Sequence, residues 1–321
     1  MLTARLSSTV SSVVLMLVAT LATAQSYPTK SIRLVTTAPG SGNDLIARLL
    51  SPGLTDALGQ SVVVDNRGGG SGAVAGQIVA HAPPDGHTLL SYGSPFWIVT
   101  LFQPMPYDPI KDFSPIMLTA TSPNILVVHP SLPVKTVREL IALAKARPGE
   151  LNYASGQTGS SNHMAAELFK SMSGINIVRI PFKGTGPALT ALIGGHMQLM
   201  FPNAGAALGH VKAGKLRALA VASAHPSALT PGLPTVADSG LPSYESASPF
   251  ALFAPAKTPQ HIIDRLNTEV ARVLKRADVT EKLLNAGVEV IASSPEQLGI
   301  AIKTELDRTA KLIKDVGIRK D

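Results

Sequence analysis

Two stretches of small polar residues carry the clearest chemical potential in the chain. One is Pro39-Gly40-Ser41-Gly42-Asn43-Asp44; the other is Ser155-Gly156-Gln157-Thr158-Gly159-Ser160-Ser161-Asn162-His163. Each follows a strand-forming run, residues 32–36 and 151–154, and each leads into a helical pattern. A helix start presents unpaired N–H groups at the positive end of its dipole, glycine lets a ligand reach that backbone, and hydroxyls add donors. Such a loop binds an anion. The plainer alternative is that Asn43 or Asp44, and Ser160 or Ser161, only cap their helices. Two such loops, one in each expected domain, favour a shared anion site held by neutral donors, with Lys183 as the cation to watch.

Other chemistries lack their residues. The chain has no cysteine, which removes thiolate metal sites, iron–sulfur clusters and cysteine nucleophiles. No G-x-S-x-G elbow, H-E-x-x-H or P-loop occurs, and the eight histidines are dispersed, so neither a metal nor a cofactor is expected. Ser161 beside His163 leaves an exported hydrolase or transferase as the alternative from a different class. Residues 68–76 match a dinucleotide fingerprint at Gly70, Gly72 and Ala75. No acid lies about 20 residues on to hold a ribose, so this segment reads as a packing loop. Ser94 closes the strand-forming run 89–92 and is a candidate cleft residue. Phe96-Trp97 belongs either to the cleft or to the core.

These loops need rigid strands and helices to aim them. The 321 residues are 45% hydrophobic and only 15% charged, the composition of a globular chain with a substantial core, and the length suits two domains. Residues 1–24 read as a signal peptide: Arg5, an apolar stretch too short to span a membrane, and Ala22-Thr23-Ala24, with cleavage near Ala24. The mature protein is therefore expected in the periplasm. The net charge of +7 falls to +6 without Arg5. Lysines and arginines are scattered over helical faces without interleaved aromatics, so no nucleic-acid partner is expected.

From residue 31 onward, runs at 32–36, 61–64, 89–92, 125–129, 151–154, 177–180, 197–201 and 216–222 alternate with helical patterns, which predicts an α/β fold. Thr136 with Glu139 predicts a capping box, and Thr258-Pro259 and Ser294 with Gln297 open further helices. Turn-rich segments at 123–133 and 231–249 flank a central block. They predict an inserted domain, with residues 25–125 and 246–321 forming domain 1 and residues 126–245 domain 2, joined by a hinge of two crossing strands.

The order of several motifs resembles the tripartite tricarboxylate transporter receptors, the Bug proteins. They are residues 39–44, Val64-Asp65-Asn66-Arg67, Asp85-Gly86, Tyr107-Asp108-Pro109 with Lys111-Asp112-Phe113, residues 159–163, Pro181-Phe182-Lys183-Gly184, and Ala254-Pro255 with Thr258-Pro259. The resemblance implies a periplasmic solute-binding protein of type II-like Venus-flytrap architecture. It would capture a small carboxylate and deliver it to tripartite transporter subunits in the membrane, as a monomer and without catalysis. A sensor that signals to a membrane partner shares the same hinge. Carried over by position, residues 39–44 form the first clamp, residues 155–163 the second, and Lys183-Gly184-Thr185 a neighbouring wall. This sequence departs from the family at Asn43, where Thr is common, and at Pro202-Asn203, where an acid is often found. Asn203 is therefore a contact candidate without a charge for a ligand amine.

Overall fold

The structure is a computed structural model that describes residues 27–39, 41–69 and 72–317. The expected signal peptide and Gly40 lie outside the described residues.

In chain order, β1 (Ile32–Thr36) leads to α1 (Gly42–Leu58), β2 (Val62–Asn66) to α2 (Ala73–Ala80), and β3 (Thr88–Gly93) to the short α3 (Pro95–Ile98) and a 3-10 turn (Val99–Leu101). β4 (Phe113–Pro123) passes into β5 (Ile125–Val128), then α4 (Val137–Ala146), β6 (Asn152–Ser155), α5 (Ser161–Ser173) and β7 (Val178–Pro181). There follow α6 (Thr185–Ile193), β8 (Leu199–Met200), α7 (Ala204–Lys212) and β9 (Arg217–Val221). The chain ends through β10 (Ala247–Pro255), α8 (Gln260–Leu274), α9 (Ala277–Asn285), β11 (Glu289–Val290) and α10 (Pro295–Val316).

These elements build two mixed sheets, a six-stranded one ordered β11-β4-β10-β3-β1-β2 and a five-stranded one ordered β7-β6-β8-β5-β9. Each is covered on both faces, which explains why its strands are apolar on both sides. In the first lobe Ile32, Leu34 and Leu89 pack with Leu50, Leu54 and Leu266, whereas Val35 and Leu90 face the aromatic cluster of Phe96, Trp97, Phe113 and Phe253. In the second, Leu126, Val128 and Tyr153 pack on α4 and α5, while Ile125, Val127 and Ala154 pack on α6 and α7. Phe96 stacks on Tyr107 at 4.7 Å and meets Phe113 edge-on at 4.8 Å. Phe96 and Trp97 thus belong to the core, with the Trp97 indole N–H donated to Glu305 at 2.9 Å.

Two expectations need correction. The segments read as turn-rich hold the ends of β4 and β10, which are 11 and 9 residues long and pair antiparallel at the centre of the first sheet. Pro115, Pro123, Pro249 and Pro255 disguise these strands. Register shifts at Phe250/Ala251 and Leu252/Phe253 accompany them, as expected where regular pairing is interrupted. The Thr136/Glu139 box is half made: Thr136 Oγ1 accepts from Glu139 N–H, but the Glu139 carboxylate takes the N–H of Lys135. The Ser294/Gln297 box is complete.

The two crossings lie side by side. Asn124, between β4 and β5, donates its N–H to Ser246 O (3.3 Å) and accepts from Ala222 N–H (2.7 Å), while Ser246 N–H bonds Ala222 O (2.8 Å). The buried Asn124 amide also holds Phe201 O at 2.5 Å.

Candidate functional site

Both loops stand at the carboxyl ends of parallel strands, the place where open α/β sheets present ligand sites. β1 pairs in parallel with β2 and β3, and β6 with β7 and β8.

The first loop is tied down by a carboxylate. Ser41 Oγ accepts from Asp44 N–H at 3.2 Å, capping α1, and contacts Thr37 Oγ1 at 2.5 Å. Asp44 itself is buried, and its Oδ1 accepts from Arg48 Nε (2.9 Å) and Asn66 Nδ2 (2.7 Å). These contacts tie Asp44 into its own loop and the start of α1. Gly42 is backed by the Phe250 ring, which a Cβ would meet at 2.8 Å. Asn43 is half-buried, with its Oδ1 lacking a donor among the described residues, and Pro39 is exposed.

The second loop is built differently. Asn162, buried at the start of α5, accepts from Gly156 N–H (2.9 Å) and Ser160 Oγ (2.7 Å) and donates to Thr185 Oγ1 (3.1 Å). It locks the loop to the start of α6. Gly159 has φ +79, a conformation glycine adopts freely, and its N–H is taken by His163 Nδ1 at 3.2 Å. His163 is 1% exposed; burial, then the charges of Arg179 and Lys170, lower its pKa to about 3, so the ring is neutral at ordinary pH. α5 has no acid in its first turn and no side-chain cap.

Under this loop lies a cation the sequence reading missed. Arg179 of β7 donates from Nε to Ser155 Oγ (2.8 Å), from one terminal nitrogen to Thr158 Oγ1 (3.0 Å) and from the other to Gly156 O (3.2 Å). A cation thus stands behind the neutral donors of this loop. In sequence, Val178-Arg179-Ile180 reads as an edge strand with one outward polar residue. The usable signal is register: Ser155 pairs with Pro181 and Tyr153 with Arg179, so Arg179 sits just before the loop begins.

One strand touches both loops. Ser161 Oγ contacts Ser248 Oγ of β10 at 2.7 Å, and two residues on, Phe250 backs Gly42. Gly159 packs toward Ile98 and Phe102 of the first lobe, and the Phe102 and His163 rings lie 6.2 Å apart. A cavity of about 30 Å³ at this seam is lined by Ser94, Gly159, Ser161, Ser246, Glu305 and Arg308, room for water-sized guests. Lys183 is exposed, and Gly184 and Thr185 begin α6. The Asn203 side chain caps α7 by accepting from Ala206 N–H (2.9 Å), and its backbone forms a β-bridge with Asn124 at the crossing. Ser161 bonds Ser248 while His163 bonds a backbone amide, so these two do not form a nucleophile–base pair. In the third glycine stretch, Gly68 packs on Ala38 and Gly72 starts α2, a packing role. Gly70 and Ser71 lie outside the described residues.

Comparison with known proteins places this architecture. The family described as tripartite tricarboxylate transporter family receptor, TctC, matches residues 46–318. The protein BugT of Bordetella pertussis is 35% identical over 300 residues, 92% of this chain and 92% of BugT. Among solved structures, R. palustris Rpa4515 with adipate superposes with TM-score 0.83 at 38% identity, covering 91% of this chain and 99% of that one. MatC from Rhodopseudomonas palustris with bound malate superposes with TM-score 0.79 at 30% identity, covering 89% and 100%. The family and these structures are solute-binding receptors rather than enzymes. With that match over residues 46–318, and with two mixed α/β lobes of the same fold, this chain belongs to the tripartite tricarboxylate transporter receptor family.

Proposed function

We propose that the protein is a periplasmic receptor that captures a small dicarboxylate or tricarboxylate between residues 39–44 and 155–163 and delivers it to membrane transporter subunits. The observation that carries this reading is the meeting of two strand-to-helix loops at Ser248 and Phe250 of one strand. Relatives that bind adipate and malate support the ligand class. The lobes divide at the paired crossings near Asn124 and Ser246, and closure about them brings the loops onto the ligand. Export fits the leader-like residues 1–24, and among the described residues no helix is long and apolar enough to cross a membrane.

The test is thermal unfolding and calorimetric titration of the mature chain against adipate, malate and citrate. A true ligand at about 100 times its dissociation constant adds about 2.7 kcal/mol to stability. Saturable binding of one of these acids supports the reading. Absence of binding to all three overturns it.

A further inference from the structure

The Arg179 guanidinium is half-buried, yet none of the ion pairs among the described residues uses it. All three of its nitrogens instead hold the second loop, through Ser155 Oγ, Thr158 Oγ1 and Gly156 O. The acid of this region, Glu167, is already engaged: Lys170 approaches both its oxygens at 3.0 and 3.1 Å, and the Tyr153 hydroxyl donates to it. His163, beside the loop, is neutral and adds no charge of either sign. A partly desolvated cation with only neutral partners is costly unless a counter-charge arrives, because water is partly removed and no acid replaces it. Ser155, Gly156 and Thr158 lie on the approach to the α5 N-terminus, where an anion would sit.

We infer that Arg179 is the positioning residue of the second loop and the source of the positive potential that makes the cleft choose anions over neutral isosteres. The inference rests on the proposed function. Arginine suits the role because its planar fork can hold three loop acceptors at once while staying charged at every working pH. A lysine there keeps the charge and loses the fork.

The experiment is calorimetric titration of the tightest binder among adipate, malate and citrate, each against its fully amidated analogue, into wild type, Arg179→Gln and Arg179→Lys. Arg179→Gln should weaken acid binding about ten- to a hundredfold, the range for losing a charged hydrogen-bonding group. It should also reduce the preference for acid over amide. Arg179→Lys should weaken acid binding yet keep most of that preference, which a merely structural arginine would not do. Wild-type acid affinity in Arg179→Gln, or an unchanged acid-to-amide ratio, overturns the inference while leaving the proposed function standing. Wild type that binds none of the acids overturns both. Should Arg179→Gln fail to fold, Arg179→Lys decides, since loss of the acid preference with the charge retained contradicts the inference.

Discussion

The two strand-to-helix loops look alike in sequence and differ in charge. The first carries its own anion: Asp44 sits in the first turn of α1, capped by Ser41 and held by Arg48 and Asn66. The second has no acid in the first turn of α5, no side-chain cap, and Arg179 beneath it. One helix start has an acid in its first turn to meet its dipole, and the other has none. On the proposed function, this difference makes the second loop the candidate anchor for a carboxylate and the first the wall that closes on it.

The largest expected effect breaks the anchor outright. Gly159→Val puts a β-branched residue at φ +79 with Ile98 and Phe102 within 3.5 Å of its Cβ. The strain alone is worth about 2 kcal/mol or more, and titration should find no measurable acid binding. Retained affinity would show that the loop tolerates displacement and is not the anchor.

Acid acts next, on the same loop. The folded-state pKa of His163 is lowered to about 3, below the ordinary value of 6.5 that it regains on unfolding, so the unfolded chain binds the extra proton first. Its contribution is fully present above pH 6.5 and is lost as pH falls toward 3, reaching roughly 3 kcal/mol at pH 4. Urea unfolding of wild type and His163→Asn from pH 7 to 4 should show a steeper loss in wild type. Parallel curves would mean that His163 is not held neutral.

Substitution in the first loop should separate stability from binding. Asp44→Asn removes the partner of Arg48 and a favourable charge at a helix start, for a stability loss of about 1 kcal/mol. Acid affinity should not fall, since the lost charge is negative. A fall as large as that expected for Arg179→Gln would erase the distinction between the loops. The smallest effect is expected for Ser160→Ala, which deletes the bond to Asn162 Oδ1 but leaves that oxygen the Gly156 N–H. It should cost about 0.5–1.5 kcal/mol of binding through a looser loop.

The loops were legible in the sequence because glycine, serine and a following helical pattern are local signals. Asp44 was legible as a first-turn acid, but its partners Arg48 and Asn66, the latter 22 positions away, were not. Arg179 was hidden because it reaches Ser155 across a parallel pairing, and strand register is not written in a lone edge strand. β4 and β10 were hidden by Pro115, Pro123, Pro249 and Pro255, residues that usually mark turns. Phe96 and Trp97 could not be divided between cleft and core until Tyr107, Phe113 and Phe253 were seen around them. Local chemistry was readable, whereas contacts made by sheet pairing and packing required the fold.

The most direct test of the second loop as anchor is a crystal structure with the tightest-binding acid among adipate, malate and citrate. The account predicts one carboxylate accepting backbone N–H groups at residues 161–163, with Arg179 still holding Ser155 and Thr158 behind it. A ligand whose carboxylates pair with Lys183, or lie only against residues 41–44, would contradict it.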